Sequence, residues 1–151
     1  MSQSKVERTA LRSSMVGGLG LAEAGRSVEL AGWVHRRRDL GGLVFVDLRD
    51  RSGLVQISFG PDWTEPEALE LAGSLGHEDV VAVQGTVEPR PAGARKQDMA
   101  TGEVEVRART IRRLGRARTP VIPVYRGPDE ELPAEELRLQ HRVLDLRRRE
   151  L

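Results

Sequence analysis
Between Leu43 and Phe59 the sequence alternates apolar and polar residues twice over, in Leu43-Val44-Phe45-Val46-Asp47-Leu48-Arg49 and in Leu54-Val55-Gln56-Ile57-Ser58-Phe59. Arg51-Ser52-Gly53 separates the two runs. Side chains of a strand point alternately to its two faces, so this pattern predicts a tight antiparallel hairpin with one buried face. Val44, Val46 and Leu48 share that face with Val55, Ile57 and Phe59. Leu43, Phe45 and Asp47 fall on the other face, with Gln56 and Ser58. A lone hairpin is marginal in water, so the rest of the chain must cover its apolar side.

The flanking residues supply the cover. Val28 to Arg38 reads as a strand with Leu30, Gly32 and Val34 on one face, ended by the turn signal Gly41-Gly42. A short turn or helical piece is expected before it, within Met15 to Gly25. After Gly60-Pro61-Asp62 the period becomes helical from Thr64 to Leu75, with Ala68, Leu69, Leu71, Ala72 and Leu75 as the buried stripe. Thr64 and Glu67 have capping-box spacing, Pro66 suits the first turn, and Gly76 suits the C-terminal cap. Asp79 to Glu88 returns to strand, Pro89 to Met99 is a polar loop, and Glu103 to Arg109 is a last strand that extends toward Leu114. In it Val104, Val106 and Ala108 face inward, and Glu103, Glu105 and Arg107 face outward.

Three strands, a helix and two strands is the order of a five-stranded Greek-key barrel of the OB type. Gly32 and Gly85 fall mid-strand, where a coiled barrel must bend. The fold class expected is therefore all-β with one helix, spanning residues 15–116. Residues 1–14 are polar and expected to fray; 117–134 form an extended, proline-bearing linker; 135–151 form a helix. That helix is expected to lead toward a domain the chain does not contain.

Net charge narrows the function. At +1 the chain is not globally basic, so any nucleic-acid site must be a local patch. His35 to Arg51 is such a patch, with five Arg and three Asp, and Arg38-Asp39 and Arg49-Asp50-Arg51 are neighbours set for ion pairing. A merely solvated charged face would look similar. The chain has no Cys, which excludes disulfides and thiolate metal sites. Residues 1–14 lack the apolar core of a secretion signal, and no window holds the roughly 18 apolar residues of a membrane span. A cytoplasmic protein is expected.

The outward set of Phe45, Gln56 and Glu105 is unusual for a merely structural surface. Either a loop or another domain covers Phe45, or its ring takes an unstacked base. Gln56 can donate and accept at a base edge, whereas an ionised Glu105 only accepts and so selects a base that donates. His35 and Arg36 to Arg38 bring positive charge or fork-shaped donors beside them. His77 and His141 lie in unrelated segments without ligand spacing, so no metal site is expected.

The stretch from Gly32 to Gly42, GWVHRRRDLGG, resembles the anticodon-binding domain of bacterial-type aspartyl-tRNA synthetases. So do Phe45 to Arg51, Gly53 to Gln56, Val83 to Val87 and Met99 to Val106, while Glu136 to Leu139 with Leu144 to Arg148 resembles the family's run into the catalytic domain. The resemblance implies that Phe45 stacks on an anticodon base, Gln56 reads the middle uridine, and Glu105 contacts the wobble guanine. It places Arg36, Arg38, Asp39 and Arg90 at the anticodon loop. The implied partner is the aspartate tRNA, anticodon GUC. ATP, Mg2+ and much of the dimer contact belong to the catalytic domain of the whole enzymes, and no residue here is assigned to catalysis. Three readings stay open: an RNA-binding module alone, a part of a ligase whose catalytic core lies elsewhere, or a general single-strand binder.

Overall fold
The computed structural model describes residues 12–97, 99–118 and 134–147. Strands β1 (Ser27–Leu40), β2 (Leu43–Asp50) and β3 (Gly53–Phe59) precede helix α1 (Pro66–Ala72), and β4 (Val80–Pro89) and β5 (Val104–Gly115) follow it. The strands close into a barrel in the order β1-β2-β3-β5-β4. Only the β3–β5 pairing is parallel; the other four are antiparallel. This is the OB-type closure expected from the element order.

The inward residues of the alternating runs build the core. Leu30, Leu48, Val55, Ile57, Phe59, Val104, Val106 and Ala108 are fully buried. Val16 joins them from a 3-10 turn at Val16–Gly18, and a second such turn follows at Leu21–Glu23. Asp50 Oδ2 accepts from the Val16 backbone N–H at 2.9 Å and so fastens this turn to the end of β2.

Two glycines let the strands cross closely. A Cβ at Gly32 would collide with the carbonyl oxygen of Arg49, and one at Gly85 with that of Arg107. Any larger residue there would push neighbouring strands apart.

Helix α1 departs from expectation at both ends. Glu65 is its N-cap and makes no side-chain cap, and Pro66 is the first helical residue. Thr64 is buried; its hydroxyl accepts from Gly60 N at 3.0 Å and donates to Ala108 O at 2.6 Å. The hydroxyl expected to cap the helix ties the chain to β5 instead. The helix stops at Gly73 rather than Gly76, and Arg37 Nη1 donates to the carbonyls of Gly73 (2.6 Å) and Leu75 (2.9 Å) just beyond it.

Residues 1–11 and 119–133, which hold most of the expected frayed terminus and linker, lie outside the described residues, as do 148–151. Of the remainder, Ser13 N donates to Glu29 O at 2.8 Å, and Ser13 Oγ accepts from Glu29 N at 2.9 Å, so the chain joins β1 there. The single helix expected from 135 is two short ones, α2 (Glu135–Gln140) and α3 (Arg142–Asp145), broken where His141 leaves helical geometry. Among the described residues no helix is long and apolar enough to cross a membrane.

Candidate nucleic-acid interface
The outer face of β1, β2, β3 and β5 carries two rows of side chains. Register pairs Arg38 with Phe45, Phe45 with Ser58, and Ser58 with Arg107. One step along, it pairs Arg36 with Asp47 and Asp47 with Gln56, and Gln56 meets Glu105 by a hydrogen bond. The first row sets the Phe45 ring between the Arg38 guanidinium and small Ser58, with Arg107 beyond, and the second offers hydrogen-bonding groups.

A bulge creates this arrangement. The β1–β2 register shifts between Val34 and Arg36, so His35 is the extra residue of the bulge. Val34 faces the core opposite Leu48, and without the extra residue Arg36 and Arg38 would follow it inward. With the bulge they join Asp47 and Phe45 outside.

Arg38 is the hub. Its Nη2 donates to Gln56 Oε1 at 3.0 Å and lies 3.5 Å from Asp47 Oδ1, and its guanidinium carbon is 5.9 Å from the Phe45 ring centroid. Gln56 Nε2 in turn donates to Glu105 Oε2 at 3.1 Å. The amide is held between a cation that only donates and a carboxylate that only accepts, so one orientation satisfies both ends and the flipped one satisfies neither. Gln56, outward as expected, is nevertheless only 8% exposed, because these neighbours enclose it.

Arg90 lies beneath the cluster, 3% exposed. Its Nε donates to Val104 O at 2.9 Å and its backbone N–H to Glu103 O at 2.8 Å. Burial lowers its pKa, partly offset by the carboxylates of Glu105 and Asp47, while the Arg38 charge adds to the lowering. It stays a cation and sets positive charge under those two carboxylates.

Two predicted residues fall elsewhere. Asp39 comes into register with Val44, on the face turned from Phe45, and its Oδ1 lies 3.6 Å from Arg37 Nε. The expected Arg38–Asp39 pair is replaced by Arg38–Asp47, because consecutive strand residues point to opposite faces. His35 sits at the bulge, with Nδ1 3.5 Å from Arg49 Nη1. Arg49 pairs not with Asp50 but with Glu78, at 2.6 and 2.9 Å, and lies 5.8 Å from the Trp33 ring centroid. Asp50 is occupied by Val16 N and Ser52 N.

Comparison with known proteins bears on this geometry. A family of tRNA anticodon-type, OB-fold nucleic acid binding domains matches residues 28–114. The chain belongs to this family. It is 48% identical to an aspartate–tRNA ligase of Listeria monocytogenes over 140 residues, 93% of this chain and 23% of that protein. It is 46% identical to an aspartate–tRNA(Asp/Asn) ligase of Bacillus cytotoxicus over 139 residues, 92% of this chain and 23% of that protein. The chain thus spans about a quarter of the length of these relatives. Among solved structures, asparaginyl-tRNA synthetase from Pyrococcus horikoshii superposes with a TM-score of 0.73 at 27% identity, over 91% of this chain and 30% of that one.

The anticodon-binding domain also has site neighbours that sequence reasoning missed. Trp63, in the turn after β3, donates its indole N–H to Ser58 O at 3.1 Å, and the Arg107 guanidinium carbon lies 4.8 Å from its ring centroid. Nothing in the local pattern marks a tryptophan of that turn as folding back over a strand. Among the described residues no group of three His, Cys, Asp or Glu could hold a metal ion.

Proposed function
We propose that the domain binds the anticodon loop of a tRNA, and that its target is the aspartate tRNA with anticodon GUC. The clamped Gln56 carries this reading. With one N–H given to Glu105 and one Oε1 lone pair taken by Arg38, the amide keeps one donor and one acceptor. That pair complements the adjoining N–H and carbonyl of a uracil edge, and the clamp holds it in one orientation. Phe45, half-buried beside it and backed by Arg38, supplies the stacking face. Glu105 accepts from a guanine edge, and exposed Arg36 reaches a phosphate. Arg90 supports the site from below rather than touching RNA.

In this reading the domain is the anticodon-reading part of an aspartate–tRNA ligase acting in the cytoplasm. ATP and Mg2+ would be handled by parts of that enzyme other than these residues. The apolar residues Leu139, Val143 and Leu146 near the C-terminus are 57%, 77% and 60% exposed, and they favour work within a larger assembly that covers them.

The test is fluorescence anisotropy of the chain against a labelled stem-loop bearing GUC, with GCC and GUU loops as controls. Binding to GUC should exceed binding to GCC, and Phe45→Ala should weaken it by about 1–3 kcal/mol while leaving the melting temperature in place. Weak discrimination of GUU would extend the target to the asparagine tRNA. Equal affinity for GUC and GCC would make the domain a general single-strand binder, and no binding at all would reject the proposal.

A further inference from the structure
Within that reading, we propose that Trp63 and Arg107 form a second stacking subsite, for the base whose edge Glu105 reads. Arg107 stands in the same row as Phe45, two strands away across Ser58. Neighbouring strands lie about 4.8 Å apart, so the two stacking surfaces are roughly 10 Å apart and each takes its own base. Ser58 between them is small and buried.

The subsite is built, not incidental. Trp63 is fixed by its indole N–H bond to Ser58 O, and its ring packs on Gly60, where a Cβ would lie 2.6 Å from it. Arg107 lies over that ring, and its Nε is 3.9 Å from Glu105 Oε1. Its side chain is still 47% exposed. A guanidinium resting over an indole and paired with a carboxylate offers its open side to a base, as an aromatic ring would. A base lying there turns its edge toward the second row, where Glu105 accepts from it, which favours a base with adjoining imino and amino donors such as guanine. In a GUC loop that base is the first of the anticodon.

The experiment pairs two loops, GUC and the same loop abasic at the first anticodon position, with Arg107→Ala and Arg107→Lys. Both variants should weaken the intact loop by on the order of tenfold, and neither should weaken the abasic loop further. In a Trp33→Phe background Trp63 is the sole tryptophan, and its fluorescence should be quenched by the intact loop and not by the abasic one. Restoration of affinity by Lys, or equal loss on both loops, would show a phosphate contact and overturn the subsite. Binding that responds to Phe45→Ala but not to the Arg107 variants would sink this inference alone. Failure of the unaltered chain to bind either loop would sink it together with the anticodon reading.

Discussion

Gln56→Glu tests the site at its centre, since it keeps the side chain's shape and changes only the amide. One new oxygen stays beside Arg38 Nη2, where a 3.0 Å separation and an effective dielectric of about 20 give an attraction of about 5–6 kcal/mol. The other faces Glu105 Oε2 at 3.1 Å, a repulsion of about 5 kcal/mol on the same scale. These cancel to within about 1 kcal/mol, so two further effects decide the sign. A hydrogen bond donated to a charged acceptor is lost, about 1.5–3 kcal/mol. A second carboxylate is also drawn from water at a position 8% exposed. The variant should therefore lose about 3 kcal/mol at about pH 8, a fall of on the order of 10 °C in melting temperature.

The loss should depend on pH. The Arg38 charge lowers the pKa of the introduced carboxyl about as much as the Glu105 charge raises it, so burial and the proton it can donate to Glu105 leave that pKa above its value in the unfolded chain. A group raised in this way is matched to the fold below the ordinary carboxylate range and destabilises it as pH climbs through the raised value. Protonated, it donates to Glu105 and reproduces the amide. Thermal melts at about pH 8 and about pH 5 should show the gap to the unaltered protein closing at the lower pH. Adding Glu105→Gln reverses the polarity of the pair, with the amide at 105 donating to the carboxylate at 56, and should recover more than half of the loss. Melts equal to the unaltered protein at both pH values, with nothing left to rescue, would show that no Arg38–Gln56–Glu105 chain exists.

Arg36→Ala should remove one phosphate contact and lower the slope of log affinity against log salt by about 0.7; an unchanged slope would take Arg36 off the backbone. Gly32→Ala should cost more than about 2 kcal/mol, read from the denaturant midpoint, because the added methyl meets the Arg49 carbonyl; an unshifted midpoint would mean that β1 relaxes freely there.

The barrel was legible because three of its strands carry clean alternation. Val44, Val46 and Leu48, Val55, Ile57 and Phe59, and Val104, Val106 and Ala108 are all buried, as their spacing predicts. The start of α1 was not legible, for a reason specific to Thr64. Its spacing to Glu67 satisfies a capping rule, but its hydroxyl finds Ala108 O, 44 residues away, and a local pattern carries no information about so distant an acceptor. The misassigned ion pairs differ, since alternation already argues against pairing Arg38 with Asp39 or Arg49 with Asp50. Each neighbour points to the other face, and the true partners, Asp47 and Glu78, come from another strand and from the turn before β4.

The bulge at His35 is the most instructive case. No glycine or proline marks it, so turn propensity gives no warning. Yet alternation carried forward from Val34 would set Arg36 and Arg38 on the face of Val46 and Leu48, where an unpaired guanidinium is far too costly to bury. One inserted residue removes that conflict for both arginines. It brings Arg37 into register with Val46 instead, and Arg37 lies near enough to the end of α1 to donate to the carbonyls of Gly73 and Leu75. The run of three arginines is thus divided, two to the outer face that carries Phe45 and Gln56 and one to a helix terminus. The cost of burying charge, rather than any turn motif, is the sequence signal for the shift, and the face that carries Arg38, Phe45 and Gln56 depends on it.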